Sequence, residues 1–206
     1  MNNISDLAKQ AKELRSKGLS TGEISDELNV SRDTALWFLT HKIEDKEEPS
    51  LKDIYVNWRS IGTSPRRLKY ISSALTDLIL DTLEENDFDE PEVVVGVANS
   101  GIPLASFVAL ELGADVALLV PKKHLWEPEQ NGDESGYLLS NFANVHGKSS
   151  VLIDDIITSG ATIKDTLQLL RSLGSSPLMA AVLLDKSGIS EIEGVPVKSL
   201  FSAAVV

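Results

Sequence analysis

Asp154 and Asp155 stand side by side behind an apolar run, Val151-Leu152-Ile153. They precede a turn of small residues, Thr158-Ser159-Gly160-Ala161-Thr162, that opens a helix. This order suits one kind of ligand. Unpaired backbone N–H groups at a helix N-terminus, with the positive end of the helix dipole behind them, favour a phosphate, and the Thr and Ser hydroxyls add donors. Gly160 lets the backbone come close to that phosphate. Two carboxylates at the carboxyl end of a strand can accept hydrogen bonds from vicinal hydroxyls or hold a hydrated Mg2+. Phosphate below and diol above describe a site for a ribose 5-phosphate. The bland reading is a strand-loop-helix with a capping Thr and two solvated acids. It explains any one part alone but not the whole string.

The elements around these residues form a regular series. Val93 to Val97, Asp115 to Val120, Val151 to Ile153 and Leu178 to Leu184 are short, uniformly apolar runs, which predict strands. Pro65 to Leu83, Ile102 to Leu112 and Ile163 to Leu173 have helical periodicity between them. Short apolar strands separated by helices indicate a parallel sheet covered on both faces, a doubly wound α/β domain. Leu51 to Gly62 reads as extended or mixed, and the long polar stretch from Lys122 to His146 as a loop of the length that is usually functional or disordered. Trp58 and Arg59 suit either a planar anionic ligand or a buried structural Trp beside a surface Arg.

The first forty-odd residues have a different design. Ile4, Leu7, Ala8, Ala11 and Leu14 mark one helix, and Ser20 or Thr21 caps a second that buries Ile24 and Leu28. Asn29 and Val30 then turn, and Ser31 caps a third helix with Ala35, Phe38 and Leu39 inside. An eight-residue helix, a short turn and a second capped helix have the shape of a helix-turn-helix. In that motif the N-terminal residues of the second helix meet DNA base edges. Ser31, Arg32, Asp33 and Thr34 are then the readers, with Trp37 against the backbone or sugar; the rival reading is a helical bundle for protein contact. Glu44 to Ser50 is charged and holds a proline, so the expected division is a helix-turn-helix domain over 1–43, a linker over 44–50 and an α/β domain over 51–206.

Composition weighs on both halves. A formal charge of −12, with seven Lys and Arg against ten Asp and Glu in residues 1–48, opposes strong nonspecific DNA affinity, because that affinity comes from neutralised phosphates. Basic groups gathered on one face can still serve an operator. The absence of cysteine excludes a thiolate metal site, and three scattered histidines, His41, His124 and His146, argue against a zinc cage. Any metal should therefore arrive with the ligand. No stretch approaches the roughly 20 apolar residues of a membrane span, so the expectation is a soluble cytoplasmic protein with no membrane partner.

The string Val151 to Thr162 closely resembles the motif by which type I phosphoribosyltransferases bind phosphoribosyl pyrophosphate (PRPP). Gly96-Val97-Ala98-Asn99-Ser100-Gly101-Ile102-Pro103-Leu104-Ala105 resembles their pyrophosphate loop, in the form found in the orotate branch. The resemblance implies backbone donors from Ala98, Asn99, Ser100 and Gly101 to a diphosphate. It also implies ligand contacts from Asp154, Asp155, Thr158, Ser159, Gly160, Ala161 and Thr162, with Mg2+ carried in by PRPP. Read alone, the second block is equally a helix start with Ser100 as cap and Pro103 in the first turn. With a helix-turn-helix in front, the whole chain resembles the GfcR family of archaeal regulators of sugar catabolism.

Orotate phosphoribosyltransferases also carry a mobile loop with an Arg-Lys pair, a further Lys and a His-Gly pair, whose cations stabilise the departing pyrophosphate. The corresponding residues here begin Pro121-Lys122-Lys123-His124-Leu125-Trp126 and turn acidic, so Lys122, Lys123 and His124 are the only catalytic candidates. Losing one donor to a developing anion costs on the order of 10²–10³ in rate. The resemblance thus implies a chain built to bind PRPP, or a related phosphorylated metabolite, more than to consume it. The leading expectation is a homodimeric DNA-binding regulator on a palindromic operator. The alternative is an Mg2+-dependent orotate or related phosphoribosyltransferase.

Overall fold

The structure, a computed structural model, describes residues 4–40, 54–121 and 137–203. The chain divides into two compact units, Met1–Asn57 with Ala203–Val206, and Trp58–Ser202. The expected linker over 44–50 lies outside the described residues.

Three helices make the first unit: α1 (Ile4–Ser16), α2 (Thr21–Leu28) and α3 (Arg32–Thr40). Their apolar stripes meet in one core of Leu7, Ala8, Ala11, Ile24, Leu28, Val30, Ala35 and Phe38. Ser20 and Glu23 close a reciprocal capping box at the start of α2, so two otherwise orphaned N–H groups are satisfied. Asn29 ends α2 in the left-handed region at φ 53°, a conformation that Asn tolerates better than most side chains.

In the second unit, α4 (Arg59–Gly62) is a single turn and α5 (Pro65–Glu85) a long helix capped by Ser64. After them come β1 (Val93–Val97), α6 (Gly101–Leu112), β2 (Asp115–Pro121), β3 (Tyr137–Leu139), β4 (Ser149–Ile157), α7 (Ala161–Ser172), β5 (Ser176–Asp185), β6 (Glu191–Ile192) and β7 (Val195–Ser202). The sheet order is β3-β2-β1-β4-β5-β7-β6. The five central strands are parallel, while β3 and β6 run antiparallel at the two edges. Alternate residues of each strand feed opposite cores. Val94, Val151, Ile153, Met179 and Ala181 pack with Leu75, Ile79, Leu104 and Val108 of α5 and α6. Val93, Val95, Leu152, Ala180 and Val182 pack with Ile163, Leu167 and Leu170 of α7. The α/β reading of the sequence therefore holds, with helices on both faces.

Three strands go beyond the sequence reading, namely β3, β6 and β7. Strand β4 is also longer than expected. Pairing with β5 continues through Asp154↔Val182 to Ile157↔Asp185, whereas pairing with β1 stops at Gly96↔Ile153. Asp154 and Asp155 therefore lie inside the strand, at the level where it outruns β1, and not after it.

The chain leaves β1 for β2 on one side of the sheet, and β4 then starts the other side. Strand order reverses between β1 and β4, and the carboxyl ends flanking such a reversal form a natural ligand crevice.

Candidate ligand site and nucleic-acid interface

Both sequence blocks converge on that crevice. The loop after β1 carries Ala98, Asn99, Ser100 and Gly101, and the end of β4 carries Asp154 and Asp155. Gly101 is the point of closest approach: a Cβ there would stand 2.4 Å from the Ile153 carbonyl oxygen and 3.1 Å from the Asp154 Cα. Only a residue without a side chain lets α6 begin directly against β4. Gly96 is similarly confined, with the Ala105 Cβ and the Ile102 Cα both 2.9 Å from its would-be Cβ. The Ala98–Asn99 peptide is cis.

Asp154 and Asp155 are 8% and 5% exposed, so they are not the solvated acids of the bland reading. Asp154 Oδ1 accepts the backbone N–H of Asp155 at 2.8 Å, satisfying a strand donor at the level where β1 no longer reaches. Burial pushes the Asp155 carboxyl above the usual aspartate range. A hydrogen bond with Asp154, the Trp58 indole and the N–H groups of Asp155 and Ile156 draw it partly back. Among the described residues the Trp58 Nε1–H is itself buried without a hydrogen-bond partner. Trp58 packs against the α5/α6 core. It belongs to the wall behind the acids, the structural alternative for this Trp, while Arg59 is exposed.

Past Ile157 the chain turns through Thr158 and Ser159 to Gly160, which takes φ 76° and serves as N-cap of α7 without a side-chain cap. The backbone conformation favours glycine here, and a Cβ on Gly160 would also press on Ile192 Cδ1 at 3.0 Å and Ile189 Cδ1 at 3.1 Å. Ala161 and Thr162, read from sequence as part of the turn, are the first two residues of the helix. Ser159 Oγ accepts the Ala161 N–H at a long 3.4 Å. Ser100, expected as a cap of α6, is helical at φ −77°, ψ −26° and makes no cap hydrogen bond. Both crevice helices thus start without side-chain caps, whereas Ser20 and Ser64 cap α2 and α5. Uncapped N-termini leave donors for an anion.

Among the described residues no three His, Cys, Asp or Glu side chains gather as a metal site. Two adjacent buried carboxylates fit a cation that brings its other ligands with it. The catalytic candidates Lys122, Lys123 and His124 lie outside the described residues.

In the first unit, the turn Asn29-Val30-Ser31 joins α2 to α3. Ser31 Oγ accepts the Thr34 N–H at 3.1 Å and pairs with Thr34 Oγ1 at 2.9 Å. Thr34 is only 7% exposed, so its hydroxyl secures the start of α3 and faces inward. Arg32 and Asp33 are exposed. The Arg32 guanidinium lies over Gly22, its Nη2 3.0 Å from where a Cβ would be. Trp37 is partly buried against the bundle and meets Phe38 edge-on at 5.8 Å between ring centroids. Leu36, absent from the sequence reading, is 49% exposed on the same helix; counting 3.6 residues per turn from Arg32 could have found it.

The family model described as phosphoribosyl transferase domain matches residues 57–201. Among solved structures, an orotate phosphoribosyltransferase from Aeropyrum pernix is 26% identical, covers 77% of this chain and 85% of its own, and superposes with a TM-score of 0.54. An adenine phosphoribosyltransferase from Rhodothermus marinus has the same fold at 23% identity and a TM-score of 0.56, over 79% of this chain and 93% of that one. Similarity along the whole chain is higher. Transcriptional regulator GfcR 1 of Methanosarcina barkeri is 50% identical over 202 residues, 97% of each chain. Transcriptional regulator GfcR of Haloferax volcanii is 41% identical over 212 residues, 100% of this chain and 99% of that one. A phosphoribosyl transferase domain behind three N-terminal helices, with identity of this order from end to end, places the chain in the GfcR family of transcriptional regulators.

Proposed function

We propose that this regulator binds an operator through α2 and α3 and senses PRPP, or a related phosphorylated metabolite, in the crevice between β1 and β4. The observation that carries the ligand half is the pair of buried carboxylates, Asp154 and Asp155, held against the loop of Ala98 to Gly101 by the missing side chain of Gly101. In this reading the uncapped start of α7 takes the 5-phosphate, with Thr158, Ser159 and Thr162 adding hydroxyls. Asp154 and Asp155 accept from the ribose hydroxyls, and the Ala98–Gly101 backbone donates to the diphosphate. Asp154 or Asp155 would hold a Mg2+ brought in with the diphosphate, and the ion would offset the diphosphate's negative charge. Trp58 keeps water away from the rear of Asp155.

Binding without turnover follows from the sequence after Pro121, where acids stand in place of the later cations of the orotate enzymes. The names of the relatives support a regulator. We assign sugar-catabolism genes as targets from the family resemblance, and a homodimer from the two-fold symmetry that a pair of recognition helices needs. A second reading, an orotate-type transferase, draws on the likeness to the Aeropyrum pernix enzyme. One experiment separates the two: PRPP binding by calorimetry with Mg2+, run beside a turnover assay with orotate on the same preparation. Binding without turnover supports the sensor, and turnover supports the enzyme. Absence of binding removes the phosphoribosyl reading.

A further inference from the structure

The exposed arc of α3 has an apolar centre. At about 100° per residue, Leu36 lies about 40° around the helix from Arg32 and about 60° from Asp33, with Thr40 between Leu36 and Asp33. Thr34, Ala35 and Phe38 occupy the buried side. A half-exposed leucine by itself says little, but this one is one turn into the second helix of a helix-turn-helix, where side chains reach base edges. Its neighbours narrow the choice of occupant. Arg32 is set back over Gly22 and, among the described residues, has neither a hydrogen bond nor an ion pair, so a cation rims the leucine without covering it. Asp33, on the other side, repels phosphate and turns this part of the arc towards bases, where a carboxylate can accept from the cytosine N4 amino group.

We propose that Leu36 reads the 5-methyl group of a thymine in the major groove of the operator; the inference rests on the DNA-binding reading above. The thymine methyl is the apolar group that the major-groove edges offer, and small or apolar side chains are its usual partners. The leucine supplies sequence discrimination without adding charge, which suits an acidic chain with few cations to spend on phosphates.

The test uses the full chain and a library of duplexes with a randomised centre. From the enriched duplex, each thymidine is replaced in turn by deoxyuridine, which removes only the methyl group. For the wild type, one such position per half-site should weaken binding about fourfold, the equivalent of one buried methyl. Leu36→Ala should bind the thymidine and deoxyuridine duplexes equally at that position, with the melting temperature of the chain unchanged. If the wild type is insensitive to every methyl, or if Leu36→Ala keeps the difference, the inference is overturned while DNA binding stands. If Leu36→Ala keeps the difference and also lowers the mass in sedimentation, the leucine is a contact between copies, and the inference is again overturned. A library in which the wild type enriches no sequence takes down the DNA-binding reading itself, and this inference with it.

Discussion

Replacing Gly101 by alanine tests whether the close contact between α6 and β4 holds the ligand site together. The added methyl would stand 2.4 Å from the Ile153 carbonyl oxygen, against the 3.0 Å that real side chains respect. Neither neighbour can rotate away, because both are backbone in the middle of the sheet, so the strand or the loop must shift by about half an ångström or more. Overpacking of this kind costs about 1–3 kcal/mol, and a Gly-to-Ala change in a helix returns at most about 1 kcal/mol. The net loss of up to about 3 kcal/mol lowers the melting temperature of a unit this size by up to about 12 °C. The same shift separates the diphosphate donors from the two carboxylates, so PRPP affinity should fall at least about tenfold, which takes only about 1.4 kcal/mol of misalignment. Scanning calorimetry and PRPP titration read the two effects on one sample. A Gly101→Ala chain that melts and binds PRPP like the wild type would refute the reasoning, since the methyl would then have been absorbed without moving either half of the crevice.

Other substitutions separate the roles of individual side chains. Asp155→Asn should weaken PRPP binding and alter how the stability of the ligand-free, metal-free protein depends on pH. Because burial raises the folded-state pKa of Asp155 above its ordinary 3.8, its contribution is fully present below that value and is lost as pH rises through the raised one. Thermal melts across that window should show a smaller fall for the Asn variant, and identical slopes would contradict the shift. Arg32→Ala should abolish an operator gel shift without lowering the melting temperature, because the side chain is exposed; retained binding would mean that the recognition helix is misplaced. Thr34→Val should behave in the opposite way, losing about 1 kcal/mol with its buried hydroxyl pair while keeping the base preference seen in library selection.

Local signals carried much of this protein. The Asp154 to Thr162 string, an N-cap at Ser20 or Thr21 and four of the five central strands are legible because each depends on residues close in sequence. The features that had to be seen in three dimensions are nonlocal. Whether Asp154 and Asp155 follow the strand or lie inside it depends on β5 extending further than β1. The burial of both acids and the approach of Trp58 depend on α5 and α6 covering the sheet. The need for glycine at 101 comes from Ile153, far away in the chain. Strand β7, with Pro196 and Lys198 among its apolar residues, has too weak a period to stand out until β5 pairs with it. At α3 the sequence places Thr34 among the N-terminal residues of the helix, where a reader belongs, but its angle around the helix turns it inward and brings Leu36 to the surface.

The central claim is that one chain couples the crevice to an operator, and the most direct test measures operator affinity with and without saturating PRPP and Mg2+. If the two sites are coupled, operator affinity changes by some factor, and PRPP affinity measured on the operator complex changes by the same factor, as linkage requires. PRPP that binds with equal strength in the presence and absence of operator, leaving operator affinity unchanged, would contradict the account.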